Sequence, residues 1–158
     1  MYQHLAGKGI ILASLMVIIL LGQAVAADQI YVNQTGWWRD GGAFNASSSP
    51  IQAGINAVLL PGSTVTVVDQ GEHAYSVSFD GTVQNGITLD LGGATLNGTG
   101  IGSPGVTIDG KTGTTVKGGT INHYTHAILA SGTCSDILLN NLTIVHPNAA
   151  GVQVGGRL

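Results

Sequence analysis

Aliphatic residues recur along this chain in short runs, each closed by Gly, Asn or Thr, and the runs return at a long period. Leu91-Gly-Gly-Ala-Thr95-Leu96 comes back as Val116-Lys-Gly-Gly-Thr120-Ile121 and as Leu139-Asn-Asn-Leu-Thr143-Ile144, with starts 25 and 23 residues apart. The third position is Gly93, Gly118 or Asn141, the residue types that enter left-handed backbone space at least cost. Each copy therefore reads as two short strands joined by a sharp bend. No helical spacing falls inside the period. A β-rich repeat of this length is the pattern of a solenoid, and the gapless hexad is expected to be its more regular corner. Coils of a parallel β-helix stack about 4.8 Å apart and complete one another's hydrogen bonds.

The same pattern predicts the remaining strands. Val65–Val68 is the first, with alternate valines inward, followed by Ser76–Phe79, Ile87–Leu91, Val106–Ile108, Ala127–Leu129, Ile137–Leu139 and Val152–Val154. Gly86-Ile87, Gly105-Val106, Ala127-Ile128 and Gly151-Val152 are expected to open successive coils, at intervals of 19, 22 and 24 residues. Upstream, Asp28–Val32 reads as a short strand and Asn33–Ser49 as a polar loop. Ser49 suits an N-cap and Pro50 the first helical position. Ile51, Ile55, Val58 and Leu59 share one face, and Pro61-Gly62 ends a helix of about 11 residues. An open solenoid end exposes core and unpaired edges, so this helix is expected to cap it.

The 158 residues suffice for one domain. Charged residues are 8% and the net charge is −3, so no basic surface points to nucleic acid. Lys8, the 12-residue apolar run Ile10–Leu21 and Ala24-Val25-Ala26 match a secretory signal, and the run is short for a membrane span. The expected division is a signal peptide at 1–26, then strand, loop and capping helix at 27–62, then coils at 63–158. Cleavage leaves a secreted, periplasmic or cell-surface protein without a stable membrane span. An uncleaved N-terminal anchor is the alternative. The chain stops just after a strand, which suggests a longer parent truncated at its C-terminus, or a last edge covered by another copy or partner. Cys134 is the only cysteine; it makes no internal disulfide and is read as a packing residue.

Ile51-Gln-Ala-Gly-Ile-Asn-Ala57, Pro61-Gly-Ser-Thr-Val-Thr-Val67 and Ile87-Thr-Leu-Asp-Leu-Gly-Gly-Ala-Thr-Leu96, placed after a signal peptide, resemble the start of right-handed parallel β-helix proteins. These form the pectin-lyase-like superfamily, including the repeat type of periplasmic copper-accessory proteins. The resemblance implies an all-β, right-handed parallel β-helix with a short capping α-helix. The hand comes from that resemblance and from the chirality of parallel crossovers. It leaves activity open, because this scaffold carries lyases, hydrolases, epimerases, adhesins and surface proteins.

The chemistry in the chain is sparse. Polygalacturonase-like members resemble one another in an Asn-Thr-Asp triplet, an Asp-Asp pair, a Gly-His-Gly and an Arg-Ile-Lys, and none of these strings occurs here. Glycoside hydrolysis normally needs two facing carboxyl groups. Asp69, Glu72, Asp80, Asp90, Asp109 and Asp136 never fall on equivalent hexad positions. A lyase base would be Lys111, Lys117 or Arg157. Trp37 and Trp38 are candidates to stack on sugar rings, or to cover an apolar end of the domain. His123 and His146 each lie two residues past a repeat aliphatic, one period apart, with His126 near in sequence. Stacked on adjacent coils they are candidate metal ligands; solvated turn histidines are the plainer reading. Asn33, Asn45, Asn97 and Asn141 start glycosylation acceptor patterns. The leading expectation is a secreted or cell-surface module with a binding or structural role toward carbohydrate, a polysaccharide or surface polymer, needing no cofactor. The rivals are a polysaccharide lyase or glycoside hydrolase whose catalytic coils lie beyond residue 158, and a periplasmic copper accessory protein. Oligomeric state stays open.

Overall fold

The structure, a computed structural model, describes residues 26–99 and 102–155. The predicted signal peptide lies outside the described residues, apart from Ala26. Ile30 and Val32 are buried in β1 (Gln29–Asn33), while Tyr31 between them faces outward. β1 pairs antiparallel with β2 (Gly36–Arg39), and β2 with β3 (Asn45–Ala46). The stretch expected as a loop is thus a small antiparallel extension of the first sheet. Asn33 makes the reversal: its Oδ1 accepts from the Thr35 and Gly36 amides at 3.0 Å, a side-chain turn that competes with continued strand.

Helix α1 (Pro50–Asn56) has seven residues, shorter than its pattern suggests. Ser49 makes no side-chain cap; instead the Ile51 amide donates to the Tyr75 hydroxyl at 3.0 Å. At the other end tertiary partners take the backbone groups before Pro61 is reached. Arg39 donates to the Ala57 carbonyl (2.8 Å), and the Leu59 amide donates to Asp28 Oδ2 (2.7 Å). Ile51, Gly54 and Ile55 are buried, with Gly54 set against Ile30, Val32 and Val65, so the helix closes this end of the interior.

Asp28 holds both Arg39 and Leu59. Partial burial pushes its carboxyl up, but the Leu59 amide and the Arg39 guanidinium outweigh that and hold it below its ordinary 3.8. A depressed carboxylate adds stability above its unfolded value and loses it as pH falls through the lower folded one. Asp28→Asn is therefore expected to be less stable than wild type at neutral pH, with the gap closing as pH drops below about 4. Urea midpoints measured across that range check it.

The coils have three faces, numbered as sheets: the first two are joined through the long strands of one nine-stranded hydrogen-bonded sheet, and the third is a separate four-stranded one. The first stacks β1, β4 (Thr64–Val67), β7 (Thr88–Asp90), β10 (Thr115–Asn122) and β12 (Leu138–Val145), each paired in parallel with the next. The second joins β5 (Glu72–His73) and β8 (Thr95–Asn97) to the later halves of β10 and β12. The third is β6 (Val77–Phe79), β9 (Val106–Asp109), β11 (His126–Ser131) and β13 (Ala150–Gly155). This is an all-β solenoid of about four turns, compatible with a parallel β-helix. β1 is its first rung, so the rung at Val65 is the second. No helix among the described residues is long and apolar enough to cross a membrane.

Leu96 and Ile144 are both register partners of Ile121, forming the interior column that the repeat predicts. Gly93, Gly118 and Asn141 all have positive φ (92°, 76° and 49°), as expected at the bend. The gapless hexad nevertheless fails between its first two copies. Val116 pairs with Leu89, not Leu91, while Ile121 pairs with Leu96. The first copy spends two more residues on its corner, where the Ala94 amide closes a turn on the Leu91 carbonyl. That larger corner presses on the next coil at Gly119, where a Cβ would lie 2.5 Å from Leu91 Cβ and 2.6 Å from the Ala94 carbonyl. The expected coil starts also need correction. Gly86-Ile87 belongs to the first sheet, since the Gly86 amide bonds Thr112 and Thr88 pairs with Thr115. The true third-sheet column is Val77, Val106, Ile128 and Val152.

Cys134 is partly buried against the core, its thiol donating to the Ser131 carbonyl at 3.0 Å. Along the last rung Leu139, Leu142 and Ile144 are only partly covered, and Leu138, Val152 and Val154 are exposed.

Candidate functional site

Three groups of side chains stand out from the repeat. The first is a row on the outer face of the first sheet. Strand alternation turns Tyr31, Thr66, Asp90, Lys117 and Asn140 outward, and the register places them in one line across five rungs. At about 4.8 Å per rung the line is about 19 Å long. The antiparallel extension prolongs it with aromatic rings. Trp38 stacks on Tyr31 with centroids 5.9 Å apart, and Phe44 follows at 6.1 Å from Trp38. Phe44 is exposed, and Tyr31 and Trp38 partly so. Aspartate and lysine in the row pair with each other, Lys117 Nζ lying 3.1 Å from Asp90 Oδ2.

The two candidate tryptophans therefore part ways. Trp37 packs against the hydrophobic core, whereas Trp38 joins the outer aromatic row. Tyr31 and Phe44 were not singled out from the sequence. The alternation Ile30-Tyr31-Val32 signals the first, because a tyrosine between two inward aliphatics must face out. Phe44 carries no such signal.

The second group is His123 and His146. They follow β10 and β12 at equivalent places, and the His123 amide donates to the Val145 carbonyl at 3.2 Å. Their rings stack with centroids 5.0 Å apart and planes 11° from parallel. His126 is the first residue of β11, pairs with Ala150 and takes no part in the stack. Among the described residues no group of three or more His, Cys, Asp or Glu is placed to hold a metal ion.

The third group is buried. His73 pairs with Leu96, so it fills in its own coil the interior position taken by Leu96, Ile121 and Ile144 in the next three. Its Nε2 lies 3.1 Å from Asp69 Oδ1 and its Nδ1 3.1 Å from the Tyr75 hydroxyl. A carboxylate only accepts, so in the neutral ring Nε2 carries the proton and Nδ1 accepts from Tyr75. The hydroxyl in turn accepts from the Ile51 amide, and Asp69 Oδ2 accepts from the Gln34 amide at 2.6 Å. One hydrogen-bonded line thus runs from the β1–β2 turn to the start of α1. Burial, with the nearby Asp69 charge, pushes the Tyr75 hydroxyl up to about 12. Tyr124, also buried and raised by burial, donates to the Tyr75 carbonyl at 2.7 Å. His73 is 23 residues before Leu96, but the polar setting Gln70-Gly-Glu-His-Ala hides that phase.

The lysines considered as bases are both engaged. Lys111 is buried and donates to the Val83 carbonyl at 2.5 Å, and Lys117 pairs with Asp90. Arg157 lies outside the described residues. These features define the chain as a β-solenoid with one ornamented outer face. No model of a known family, no curated protein and no solved structure matches it.

Proposed function

We propose that this chain is a non-catalytic β-solenoid module that holds an extended carbohydrate polymer along the outer face of its first sheet. The supporting observation is the continuous row Phe44, Trp38, Tyr31, Thr66, Asp90, Lys117 and Asn140, aromatic at one end and polar at the other. Aromatic faces take the apolar faces of sugar rings, and hydroxyl, amide and charged groups bond their edges. A regular rung spacing suits a ligand that is itself a repeat. The resemblance to pectin-lyase-like proteins and the export signal read from the N-terminus agree with a role outside the cytoplasm, at the level of fold analogy.

Pull-down and affinity electrophoresis on cellulose, chitin and polygalacturonate test the reading. Trp38→Ala is expected to weaken retention about tenfold, the loss of roughly 1.4 kcal/mol, with little change in stability. Trp37→Ala is expected to lower stability instead, because its ring supports the core. Equal retention of wild type and a Tyr31→Ala/Trp38→Ala variant on every polymer that binds would overturn the assignment of the face. Turnover to an unsaturated product absorbing in the ultraviolet, or release of reducing sugar, would replace a binding module with a lyase or a hydrolase.

A further inference from the structure

We infer that His123 and His146 form an exchangeable two-imidazole site for a divalent transition-metal ion, at the corner between the second and third sheets. This site is separate from the aromatic row and does not depend on it. The corner brings the two residues to matching positions, one rung apart, directly after the paired Asn122 and Val145. Both have left-handed backbone angles, with φ of 57° and 45°. That region costs a side-chain-bearing residue more than glycine. At two successive corners the fold nonetheless carries histidine, and the shared conformation sends both side chains out together. The rings lie 5.0 Å apart and nearly parallel, and both residues are exposed.

Exposure and register give the pair what a chelate needs. No side-chain hydrogen bond engages either ring among the described residues, so each offers ring nitrogens free to bind. Metal–imidazole bonds are about 2.0–2.1 Å, which requires two donor nitrogens about 3 Å apart. Parallel rings do not meet that without tilting toward each other. Both side chains stand outside the core, so rotation about their own bonds brings the nitrogens together while the coil beneath stays packed.

The donor set selects the ion. Neutral imidazoles suit copper(II), zinc and nickel, and copper(II) heads that series in affinity. Calcium and magnesium call for oxygen donors, and among the described residues no carboxylate joins the pair in a three-residue group. Structural sites are closed by four protein ligands. With two, the remaining positions belong to water or to a small chelate carried by the ion. The site therefore takes up and gives back metal, or docks a metal complex, instead of holding the fold together.

Calorimetric titration of the full chain with copper(II), buffered by glycine as a weak competitor, tests this, with electron paramagnetic resonance of the one-equivalent sample. The expected result is one ion per chain with coupling to two imidazole nitrogens. His123→Ala and His146→Ala should each weaken binding by at least about tenfold, while His126→Ala binds as wild type. Circular dichroism of each variant confirms that the fold is kept. Undiminished uptake by a folded His123→Ala/His146→Ala variant, or a spectrum without imidazole coupling, overturns the assignment, and so does wild-type uptake no greater than that of the double variant.

Discussion

Leu96→Ala is expected to lower the free energy of unfolding by about 2–5 kcal/mol, read as a fall in the urea midpoint at constant slope. Leu96 is wholly buried and sits between His73 of the coil before and Ile121 of the coil after. Removing its side chain strips contacts from both neighbours and leaves a void that two stacked rungs cannot close, because their spacing is set by ladder hydrogen bonds. Ile121→Ala is expected to cost as much, since Ile121 is equally buried between Leu96 and Ile144. Ile144→Ala is expected to cost only about 1 kcal/mol, for Ile144 is half-covered and, among the described residues, has one packed neighbour in the column. In a solenoid each coil meets only its neighbours, so this gradient measures position in the stack. Equal losses at Leu96, Ile121 and Ile144 would contradict the column itself.

That column was legible because its members differ little in chemistry and return at nearly constant spacing. Thr95, Thr120 and Thr143 mark the phase beside them, and the positive-φ residues Gly93, Gly118 and Asn141 mark the bend. What escaped was everything decided by turn length. Leu89 and Leu91 are both buried leucines two residues apart, so either aligns with Val116 by type, and only the ladder chooses Leu89. Gly86-Ile87 looks like Gly105-Val106 because both are glycine before a buried aliphatic, yet they open different sheets. The stretch 33–49 reads as a loop because β2 and β3 are short and flanked by Gly and Ser. Its turn depends on one asparagine side chain. Ser49 fits an N-cap by type, but Tyr75, 24 residues beyond Ile51, supplies the acceptor for the Ile51 amide near the helix start.

The candidate site was legible in the same uneven way. The histidine pair follows from the period alone, and the structure brings the two rings together. The aromatic row does not follow, because it joins Tyr31 of β1, Trp38 of β2 and Phe44 just before β3, brought together by antiparallel pairing inside an otherwise parallel stack. Sequence reasoning treated Trp37 and Trp38 as one feature. Adjacent residues on a strand point to opposite faces, and once Gly36–Arg39 is a strand the two must separate into a core residue and a surface one.

His73→Ala should destabilise the protein by about 2–4 kcal/mol, and His73→Leu by distinctly less. The two changes separate the shape of the side chain from its hydrogen bonds. Leucine refills the column below Leu96, where the next three coils carry aliphatic residues, so its remaining cost is polar. It leaves the Tyr75 hydroxyl proton without the acceptor Nδ1 provides, a loss of about 1–3 kcal/mol. Asp69 keeps the Gln34 amide and is partly exposed, so it re-solvates at small cost. Alanine suffers the same polar loss and adds a cavity. Tyr75→Phe is expected to fall between them, because it orphans the Ile51 amide at the start of α1 as well as His73 Nδ1. A His73→Leu/Tyr75→Phe double variant should lose less than the sum of its parts, since the bond between the two is counted in both single changes. A histidine in an aliphatic column thus serves the capping helix: it fixes the tyrosine that receives the helix, and the tyrosine fixes it. Additive losses at His73 and Tyr75 would mean that the helix is seated by the burial of Ile51 and Ile55 alone.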